Sequence, residues 1–301
     1  MRIGIDLGGT KIEIVVLDGS GRIVYRERAL TPGGDYAATL ATIIQLVHQA
    51  EHTLEIHTPL PVGIGIPGAI APQTGLIQNA NSVCLIGRDL AADLATALER
   101  PIRLANDADC FALSEATDGA GAGVPTLFGV ILGTGVGGGI VVGGQLLSGP
   151  NAIAGEWGHN PLPWPEPDEQ PGVACYCGRS GCIETFLSGP ALSRQYGELY
   201  GTALPPATIV QRAANGERIA DDLLTRYEQR LARALAVVVN ILDPHVIVLG
   251  GGLSNLTRLY HSVPQLWKPY IFAHAPVTRL VPARFGDSSG VRGAAWLWPQ
   301  C

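Results

Sequence analysis

The sequence predicts an α/β protein of two lobes. Strands alternate with helical stretches along the chain, and a glycine-rich strand–turn–strand near the N-terminus recurs near the middle of the chain. The chain has 301 residues, which is long enough for two domains of ordinary size. Because 47% of the residues are hydrophobic and only 15% are charged, the chain is able to bury a large core.

The chain opens with apolar residues in alternating positions over residues 2–29. Glycine turns interrupt this pattern at Gly8–Gly9 and at 18–21, which predicts a three-stranded antiparallel meander. Glycines in the first turn allow backbone N–H groups to approach phosphate oxygens closely. The candidate nucleotide-binding residues of this turn are Gly8, Gly9, Thr10 and Lys11. The Asp6 carboxylate is suited to hold Mg²⁺, directly or through water. Taken alone, the turn is equally typical of a plain hairpin without a ligand.

The next stretch predicts a helix over residues 36–54, a short buried strand over Val62–Ile66 and a second helix over 89–98. Between the strand and the second helix lies a polar loop, which begins after Pro67 and contains Gly68, Asn79, Asn81 and Ser82. Loops that follow parallel strands are where open α/β sheets bind ligands. Gly68 and Asn79 are therefore candidate ligand-binding residues, although an asparagine here is also typical of a turn.

Asn106 and Asp107 stand where a predicted strand over residues 102–104 gives way to a predicted helix. Asp and Asn are favoured at helix N-caps, where they contribute about 1 kcal/mol, so capping is the simplest interpretation. The alternative is that Asp107 serves as a general base, which must lie within hydrogen-bond reach of the group that it deprotonates. The residues alone favour the cap.

A second glycine-rich turn, Gly133–Gly139, lies between a predicted strand over 127–132 and another over 140–142. Its candidate nucleotide-binding residues are Gly133, Thr134 and Gly135. The turn is not a Walker A loop, because no Gly-Lys-Ser/Thr follows, and it opens a strand rather than a helix. Together with the first turn it indicates a pseudo-repeat that could clamp a triphosphate from two sides. The uncharged, glycine-dense stretch 127–144 is interpreted as this hairpin and not as a membrane span.

The last third of the chain is mostly helical, with apolar spacing that predicts helices over residues 184–200, 206–215, 219–242, 253–267 and about 287–298. A buried strand over 245–249 runs into three glycines, Gly250, Gly251 and Gly252. These glycines fit the close approach of a nucleotide base or ribose, and they fit tight packing between a helix and a strand equally well.

A segment from Gly155 to Glu184 has the composition of a metal site. Three of the six cysteines lie within eight residues of each other, with a histidine upstream. Structural zinc takes four N/S ligands in tetrahedral geometry, and the predicted set is His159, Cys175, Cys177 and Cys182. Gly178 and Gly181 would let the backbone turn tightly between these ligands. A bound zinc ion would also hold Glu156, His159 and Glu184 together in a cluster suited to a polyhydroxylated ligand.

Charge and cysteine usage exclude several classes of protein. The net charge is −6, whereas a nucleic-acid partner normally requires a basic surface. The N-terminal residues lack the long apolar region of a secretory signal, so we expect a cytoplasmic protein without membrane contact. Disulfides are rare in that compartment, and Cys84, Cys110 and Cys301 give no reason to expect them.

The motifs Gly-Glu-x-Gly-His at residues 155–159 and Cys-x-Cys-Gly-x-x-Gly-Cys-x-Glu at 175–184 resemble the signature of the ROK family of sugar kinases and repressors. The resemblance covers essentially the whole chain, and the strings 155–164 and 287–299 are most similar to its bacterial fructokinase/mannokinase branch. It implies the two-lobed actin-like ATPase and sugar kinase fold, a ribonuclease H-like duplication with a structural zinc segment. The expected lobes are 1–105 and 106–301, with the helix at about 290–299 packing back on the first.

The resemblance also implies a reaction. We expect ATP-dependent phosphorylation of a hexose at its 6-hydroxyl, with D-fructose or D-mannose as the expected sugar, Mg²⁺ at Asp6 and structural Zn²⁺. Asp107 becomes the general base, and the sugar-binding residues are Gly68, Asn79, Asn106, Glu156, His159 and Glu184. Within the family, the alternatives are a glucokinase and a kinase of N-acetylglucosamine or N-acetylmannosamine. A non-catalytic sugar-sensing regulator is a remote alternative, because no basic helix-turn-helix segment precedes the first strand. Homodimers are common in the family, so a homodimer is expected.

Overall fold

The structure is a computed structural model that describes residues 1–80 and 82–299, without the side chain of Asp287. Asn81 and Cys301, which the sequence interpretation mentions, lie outside the described residues. The strands of the described chain are β1 (Arg2–Leu7), β2 (Lys11–Leu17), β3 (Ile23–Leu30), β4 (Val62–Ile66), β5 (Ala69–Ile70), β6 (Ile77–Gln78), β7 (Ile102–Asn106), β8 (Thr126–Leu132), β9 (Val136–Val142), β10 (Gln145–Leu146), β11 (Val246–Gly250) and β12 (Arg279–Pro282). The α-helices are α1 (Tyr36–Thr53), α2 (Leu90–Leu98), α3 (Asp107–Thr117), α4 (Glu184–Leu187), α5 (Gly189–Tyr200), α6 (Pro206–Ala214), α7 (Arg218–Leu242), α8 (Leu259–Leu266) and α9 (Ser289–Trp296).

The chain divides into two compact units. The first contains residues 1–123, residues 139–154 and the chain from Arg284 onward, and the second contains 124–138 and 155–283. The expected boundary lay between residues 105 and 106. The first unit therefore extends further along the chain than that division, and it is assembled from three separate pieces.

The first unit is organised by a five-stranded sheet of order β3-β2-β1-β4-β7. Strands β1, β2 and β3 pair antiparallel, which confirms the predicted meander, and β4 and β7 continue the sheet in parallel. Because side chains alternate between the faces of a strand, Ile14 of β2 belongs to a core with Ile43 of α1, whereas Val15 belongs to a core with Leu113 of α3 and Val291 of α9. Helices thus cover both faces of this sheet.

Helix α9 packs against the strands of the first unit, although it follows the second unit in the sequence. The Nη1 atom of Arg2 donates to the carbonyl of Trp298 at 2.7 Å. The indole Nε1 of Trp298 donates to the carbonyl of Val62 at 2.7 Å, and the Arg103 guanidinium lies over the Trp298 ring. These contacts fasten the chain after α9 to strands β1, β4 and β7.

The second sheet has the order β10-β9-β8-β11-β12, and β9 begins in the second unit and ends in the first. Strand β11 pairs in parallel with β8 and with β12, so that Val246 lies opposite Leu127 and Arg279. Helix α7 supplies a long buried face to the second unit, with Leu231 and Leu235 fully buried. Among residues 1–80 and 82–299, no helix is long and apolar enough to cross a membrane.

Several elements differ from the predictions. The expected helix over 184–200 is broken into α4 and α5, because the Ser188 side chain caps α5 and the first turn of α5 contains Pro190, which has no N–H. The expected helix over 253–267 begins only at Leu259, after a 3₁₀ turn. Strand β9 begins at Val136, so that most of the second glycine-rich stretch lies in a strand. The short strands β5, β6, β10 and β12 were not predicted.

Candidate active site

The first glycine turn joins β1 to β2 and is braced from β3. Gly8 N donates to the carbonyl of Lys11 at 3.0 Å, which closes the turn. Thr31 holds it from outside: its Oγ1 donates to the carbonyl of Gly8 at 2.7 Å and its backbone N to the carbonyl of Thr10 at 3.1 Å. Gly9, Thr10 and Lys11 are exposed, so the tip of the turn is accessible to a ligand.

Asp6 lies at the base of this turn in an acidic environment. Burial, followed by repulsion from Asp107 and Glu13, raises the pKa of Asp6 from 3.8 to about 6, and Lys11 offsets only part of this. A carboxylate that is destabilised by burial and by other carboxylates is relieved by a bound cation. The donor set around Asp6 therefore fits a divalent ion such as Mg²⁺.

Asn106 ends β7 and caps α3. Its Oδ1 accepts from Ala108 N at 2.8 Å, and its Nδ2 donates to the carbonyl of Gly68 at 2.9 Å. The expected capping role thus belongs to Asn106, and Asp107 occupies the first turn of α3 with an exposed side chain. The side-chain amide of Asn106, expected to bind the sugar, is instead engaged with protein atoms at both ends.

Gly68 and Asn79 lie at the base of the small β5–β6 hairpin that follows β4. Ala69 pairs with Gln78 across this hairpin, and both Gly68 (φ +115°) and Asn79 (φ +55°) have left-handed backbone conformations. Because Gly68 is bonded to Asn106, the structure brings Gly68, Asn106 and Asp107 together within the first unit. Asn79 directly follows β6, the second strand of the hairpin, whose Gln78 pairs with Ala69 next to Gly68.

The second glycine turn lies between β8 and β9 and is held at both ends within the second unit. Gly133 N donates to the carbonyl of Gly135 at 3.0 Å, and the carbonyl of Gly133 accepts from Gly189 N at 2.7 Å. Val136 N donates to Glu184 Oε2 at 2.9 Å. Thr134 is exposed at the tip, as Thr10 is in the first turn.

The three glycines at 250–252 have different surroundings. Gly250 ends β11 and lies opposite Ile131 of β8. Gly251 has φ +79°, and a Cβ atom there would lie 2.5 Å from the carbonyl oxygen of Leu132. Tight packing, the second interpretation of this triple glycine, therefore accounts for Gly251. Gly252 faces open space and opens the following 3₁₀ turn.

The four predicted zinc ligands converge in the second unit. The ligand atoms of His159, Cys175, Cys177 and Cys182 all lie within 4.8 Å of one another. A short hairpin brings Cys175 and Cys177 back toward Cys182, with positive φ at Gly178 (+86°) and Gly181 (+70°) as the spacing required. The backbone bridge between Pro161 and Cys182 brings His159 to the same place.

The donor distances fit a tetrahedral ion. The Sγ atoms of Cys177 and Cys182 are 3.6 Å apart, and Cys175 Sγ is 3.5 Å from His159 Nδ1. For Zn–S bonds of about 2.3 Å and Zn–N bonds of about 2.0–2.1 Å, tetrahedral geometry requires S···S of about 3.8 Å and S···N of about 3.6 Å. The cluster is therefore able to hold zinc through three sulfurs and Nδ1.

Tyr176 lies against His159 of the predicted sugar-binding cluster, where the sequence interpretation placed no residue. Its hydroxyl is 2.9 Å from His159 Nε2, and the two rings meet edge to face. Partial desolvation of its hydroxyl, with the carboxylates of Glu184 and Glu156 next in effect, raises the pKa of Tyr176 to about 12, although the side chain as a whole is 77% exposed. The second ring nitrogen of His159, which the sequence interpretation assigned to a sugar hydroxyl or a carboxylate, therefore meets a phenol.

Thr31, Tyr176 and Trp157 make the contacts that sequence reasoning missed. Trp157 is 5% exposed, and its Nε1 donates to the carbonyl of Gly137 at 3.0 Å. In the sequence, only its position between the two motif glycines distinguishes Trp157 from other tryptophans, and Tyr176 stands out only because it lies between two cysteines. No local pattern marks Thr31.

Comparisons with known proteins agree with the family indicated by the motifs. A family model described as the ROK family matches residues 2–301. The chain is 42% identical over 301 residues to the N-acetyl-D-glucosamine kinase of Pectobacterium carotovorum, with 99% of this chain and 98% of the relative covered.

Two solved structures are also similar. One is a ROK hexokinase from Thermus thermophilus, with 30% identity, a TM-score of 0.86 and coverage of 98% of this chain and 96% of that chain. The other is a ROK family glucokinase from Streptomyces griseus in complex with glucose and AMPPNP, with 28% identity, a TM-score of 0.80 and coverage of 100% and 99%. None of these three proteins is named a fructokinase or a mannokinase.

Proposed function

Because the chain belongs to the ROK family of sugar kinases, we propose that it transfers the γ-phosphoryl group of ATP to N-acetylglucosamine, at the 6-hydroxyl. The observation that carries the choice of sugar is the 42% identity, across 99% of this chain, to a kinase named for that substrate. N-acetylglucosamine, one of the alternatives in the sequence analysis, thus replaces fructose and mannose. Those two sugars were expected from the similarity of residues 155–164 and 287–299 to another branch of the family. The nucleotide is supported by the similar glucokinase that was solved with AMPPNP.

The proposed chemistry requires positioning and electrostatic stabilisation, and no covalent nucleophile. Asp107 accepts the proton of the sugar hydroxyl; its side chain is exposed in the first turn of α3, where a substrate is able to reach it. Asp6 would hold Mg²⁺, which would supply neutralisation of the phosphate charge. Backbone N–H groups of Gly9 and Thr10, and of Thr134 and Gly135, are proposed to bind the phosphates, because those of Gly8 and Gly133 already donate within their turns. Lys11 adds a cation.

The sugar-binding roles divide into two groups. Gly68, Asn79, Glu156 and Glu184 are proposed to contact the sugar, and Glu156 is exposed at the start of a 3₁₀ turn. Asn106 acts by fixing Gly68 and the start of α3, because its amide is already bonded to both. If His159 binds a sugar hydroxyl through Nε2, the Tyr176 hydroxyl must move aside.

Zinc is proposed to be structural, held by His159 Nδ1 and the three sulfurs of Cys175, Cys177 and Cys182. Four protein ligands leave no open coordination position, so the ion would fix the segment and take no part in phosphoryl transfer. Gly250–Gly252 are proposed to lie beside the nucleotide, although Gly251 is already explained by its contact with Leu132. The homodimer, the absence of a nucleic-acid partner and the cytoplasmic location stay predictions.

The experiment that tests the function is ADP release from Mg-ATP with a panel of N-acetylglucosamine, N-acetylmannosamine, glucose, fructose and mannose, beside a blank without sugar. We expect kcat/KM to be highest for N-acetylglucosamine. Asp107→Asn should lower turnover by about 10²–10⁴-fold, as expected for a general base. Asp89→Asn is the matched control, because Asp89 also stands at a helix N-terminus and Asn is an equally good cap.

The possible outcomes separate the parts of the proposal. Turnover confined to fructose or mannose would restore the sugar expected from the motif strings and remove the one proposed here. Near-wild-type turnover in Asp107→Asn would remove the general base. A zinc-loaded, folded protein that turns over none of these sugars would contradict the kinase and favour a sugar-sensing regulator.

A further inference from the structure

The metal-binding segment (residues 155–184) contacts the chain at residues 133–138 at several points within the second unit. These residues form the second glycine turn and the start of β9. The sequence interpretation gave these two stretches separate roles, one for metal and sugar and the other for phosphate. The structure joins them through one indole, one carboxylate and two places where backbones meet without side chains between them.

Trp157 makes the first connection. Its indole Nε1 donates to the carbonyl of Gly137 at 3.0 Å, and its ring meets the edge of Phe128 on β8 with centroids 5.7 Å apart. Trp157 is 5% exposed and stands two residues before His159. A rigid, buried aromatic residue therefore links the start of the metal site to both strands that flank the turn.

Glu184 makes the second connection, two residues after Cys182. Its Oε2 accepts from Val136 N at 2.9 Å, so the first amide of β9 is held by a side chain of the metal-binding segment. Hydrogen bonds to a charged acceptor are stronger than those between neutral groups. The N–H of Val136 is thus used for anchoring, and that of Gly133 donates to the carbonyl of Gly135. The phosphate-binding role is therefore left to the amides of Thr134 and Gly135.

Two close approaches leave the turn little freedom to shift. A Cβ atom at Gly158 would lie 2.1 Å from the carbonyl oxygen of Val136, and one at Gly138 would lie 2.9 Å from the carbonyl oxygen of Gly155. Glycine is required at both positions because any side chain would overlap the facing backbone. The metal-binding segment and the turn are therefore packed backbone against backbone.

We propose that Trp157 and Glu184 are positioning residues for the nucleotide, which set the backbone of the second glycine turn from the metal-binding segment. The metal site would then control triphosphate binding as well as the sugar. This inference rests on the proposed role of the Thr134 and Gly135 amides in holding phosphates. It assigns to Glu184 a function that is independent of any sugar contact.

The first test is the dissociation constant of Mg-AMPPNP, measured by calorimetry on the full-length protein without sugar. Trp157→Phe keeps an aromatic ring against Phe128 but removes the bond to Gly137. Loss of one such bond is expected to weaken nucleotide binding by about three- to ten-fold, with the zinc content unchanged. In turnover, KM for ATP should rise by the same factor while kcat changes less than about two-fold.

Trp298→Phe is the matched control. It removes the same kind of bond, from an indole N–H to the carbonyl of Val62 at 2.7 Å, in the first unit. The control should lose a similar amount of thermal stability and keep the wild-type nucleotide affinity. Equal nucleotide affinity in Trp157→Phe and the wild type, or equal weakening in both tryptophan variants, would overturn the inference.

A second pair of variants isolates the bond to Val136. Glu184→Gln and Glu184→Leu both remove the charge, but only glutamine keeps an oxygen that accepts from the Val136 amide. We expect the leucine variant to bind Mg-AMPPNP about three- to ten-fold more weakly than the glutamine variant. Equal affinities in this pair would exclude Glu184 as a positioning residue.

Failure of this inference is distinguishable from failure of the proposed function. If the wild type does not bind Mg-AMPPNP, the nucleotide role of the turn is wrong and both proposals fall. If the wild type binds and turns over sugar but the variants are unchanged, the kinase stands and only the coupling between metal-binding segment and turn is wrong.

Discussion

Replacing Glu169 with glutamine should lower the free energy of unfolding by about 3 kcal/mol at pH 7. The Glu169 side chain is 2% exposed, and its Oε1 accepts from Arg230 Nε at 2.7 Å and from Arg233 Nη2 at 2.9 Å. These bonds fasten the loop before the cysteines to helix α7. Removing the carboxylate leaves two buried guanidinium groups without their anion, which typically costs about 3–5 kcal/mol.

The pKa of Glu169 gives a second way to calculate the expected loss in the free energy of unfolding. Burial acts to raise the pKa of Glu169, but hydrogen bonds from Arg233 and Arg230 outweigh burial and lower it from 4.5 to about 2. At about 1.4 kcal/mol for each pKa unit, this difference corresponds to about 3 kcal/mol in favour of the ionised folded state. This value agrees with the loss expected when the two buried guanidinium groups are left without their anion.

The same shift fixes the pH dependence. A lowered folded-state pKa means that the contribution is fully present above the unfolded pKa of 4.5 and is lost as the pH falls toward 2. The difference in the free energy of unfolding between the wild type and Glu169→Gln should therefore be smaller by about half at pH 3.5 than at pH 7. Other groups titrate in both proteins, so their protonation largely cancels in the comparison.

Equilibrium urea unfolding at pH 7 and pH 3.5 is the assay. Glu198→Gln is the control, because its partner Arg194 lies one helical turn away in a pair whose side chains are 33% and 59% exposed. Surface pairs of this kind contribute only about 0.3–0.5 kcal/mol. A Glu169→Gln protein within about 0.5 kcal/mol of the wild type at pH 7 would refute the reasoning.

Three further predictions concern the candidate site. Cys177→Ser should remove zinc and lower the melting temperature, as measured by elemental analysis and calorimetry, whereas Cys84→Ser in the other unit should keep the metal; retained zinc in Cys177→Ser would count against the ligand set. Asp6→Asn should raise the free energy of unfolding at pH 8 without Mg²⁺ by about 1–2 kcal/mol, because it removes a charge that burial and Asp107 destabilise, while turnover falls sharply; a less stable variant would show that this charge is not strained. Tyr176→Phe should lower the sugar KM by about five-fold, because the sugar no longer displaces a hydroxyl from His159 Nε2; an unchanged KM would mean that the two do not compete.

Much of the fold could be predicted because long periodic elements carry their own signal. Strand β4 has the bounds that its apolar run predicts, and α1 ends one residue early. The strands that were missed, β5, β6, β10 and β12, have two to four residues. Such lengths are too short for periodicity, and only their pairing partners define them.

The metal-binding cluster could be predicted as a set of residues, but the hydrogen bonds around the candidate site could not. Spacing alone assembled the His159, Cys175, Cys177 and Cys182 cluster, because chain distance limits where ligands so close in sequence are able to lie. The partners of Asn106 and Glu184 come from residues far away in the chain, Gly68 and Val136. Such partners depend on tertiary packing, for which a single sequence has no local pattern.

The position of α9 in the sequence has a consequence for how the protein matures. Its Val291, Ala295 and Trp296 complete a core with Val15, Leu17 and Leu113, yet the ribosome delivers them only after the whole second unit has been synthesised. Until α9 is synthesised, which takes more than half of translation, this face of the sheet in the nascent first unit is covered only in part, by α3. Chaperones would bind the nascent chain at that face. A frameshift or a proteolytic cut after Ala283 would leave the face without α9.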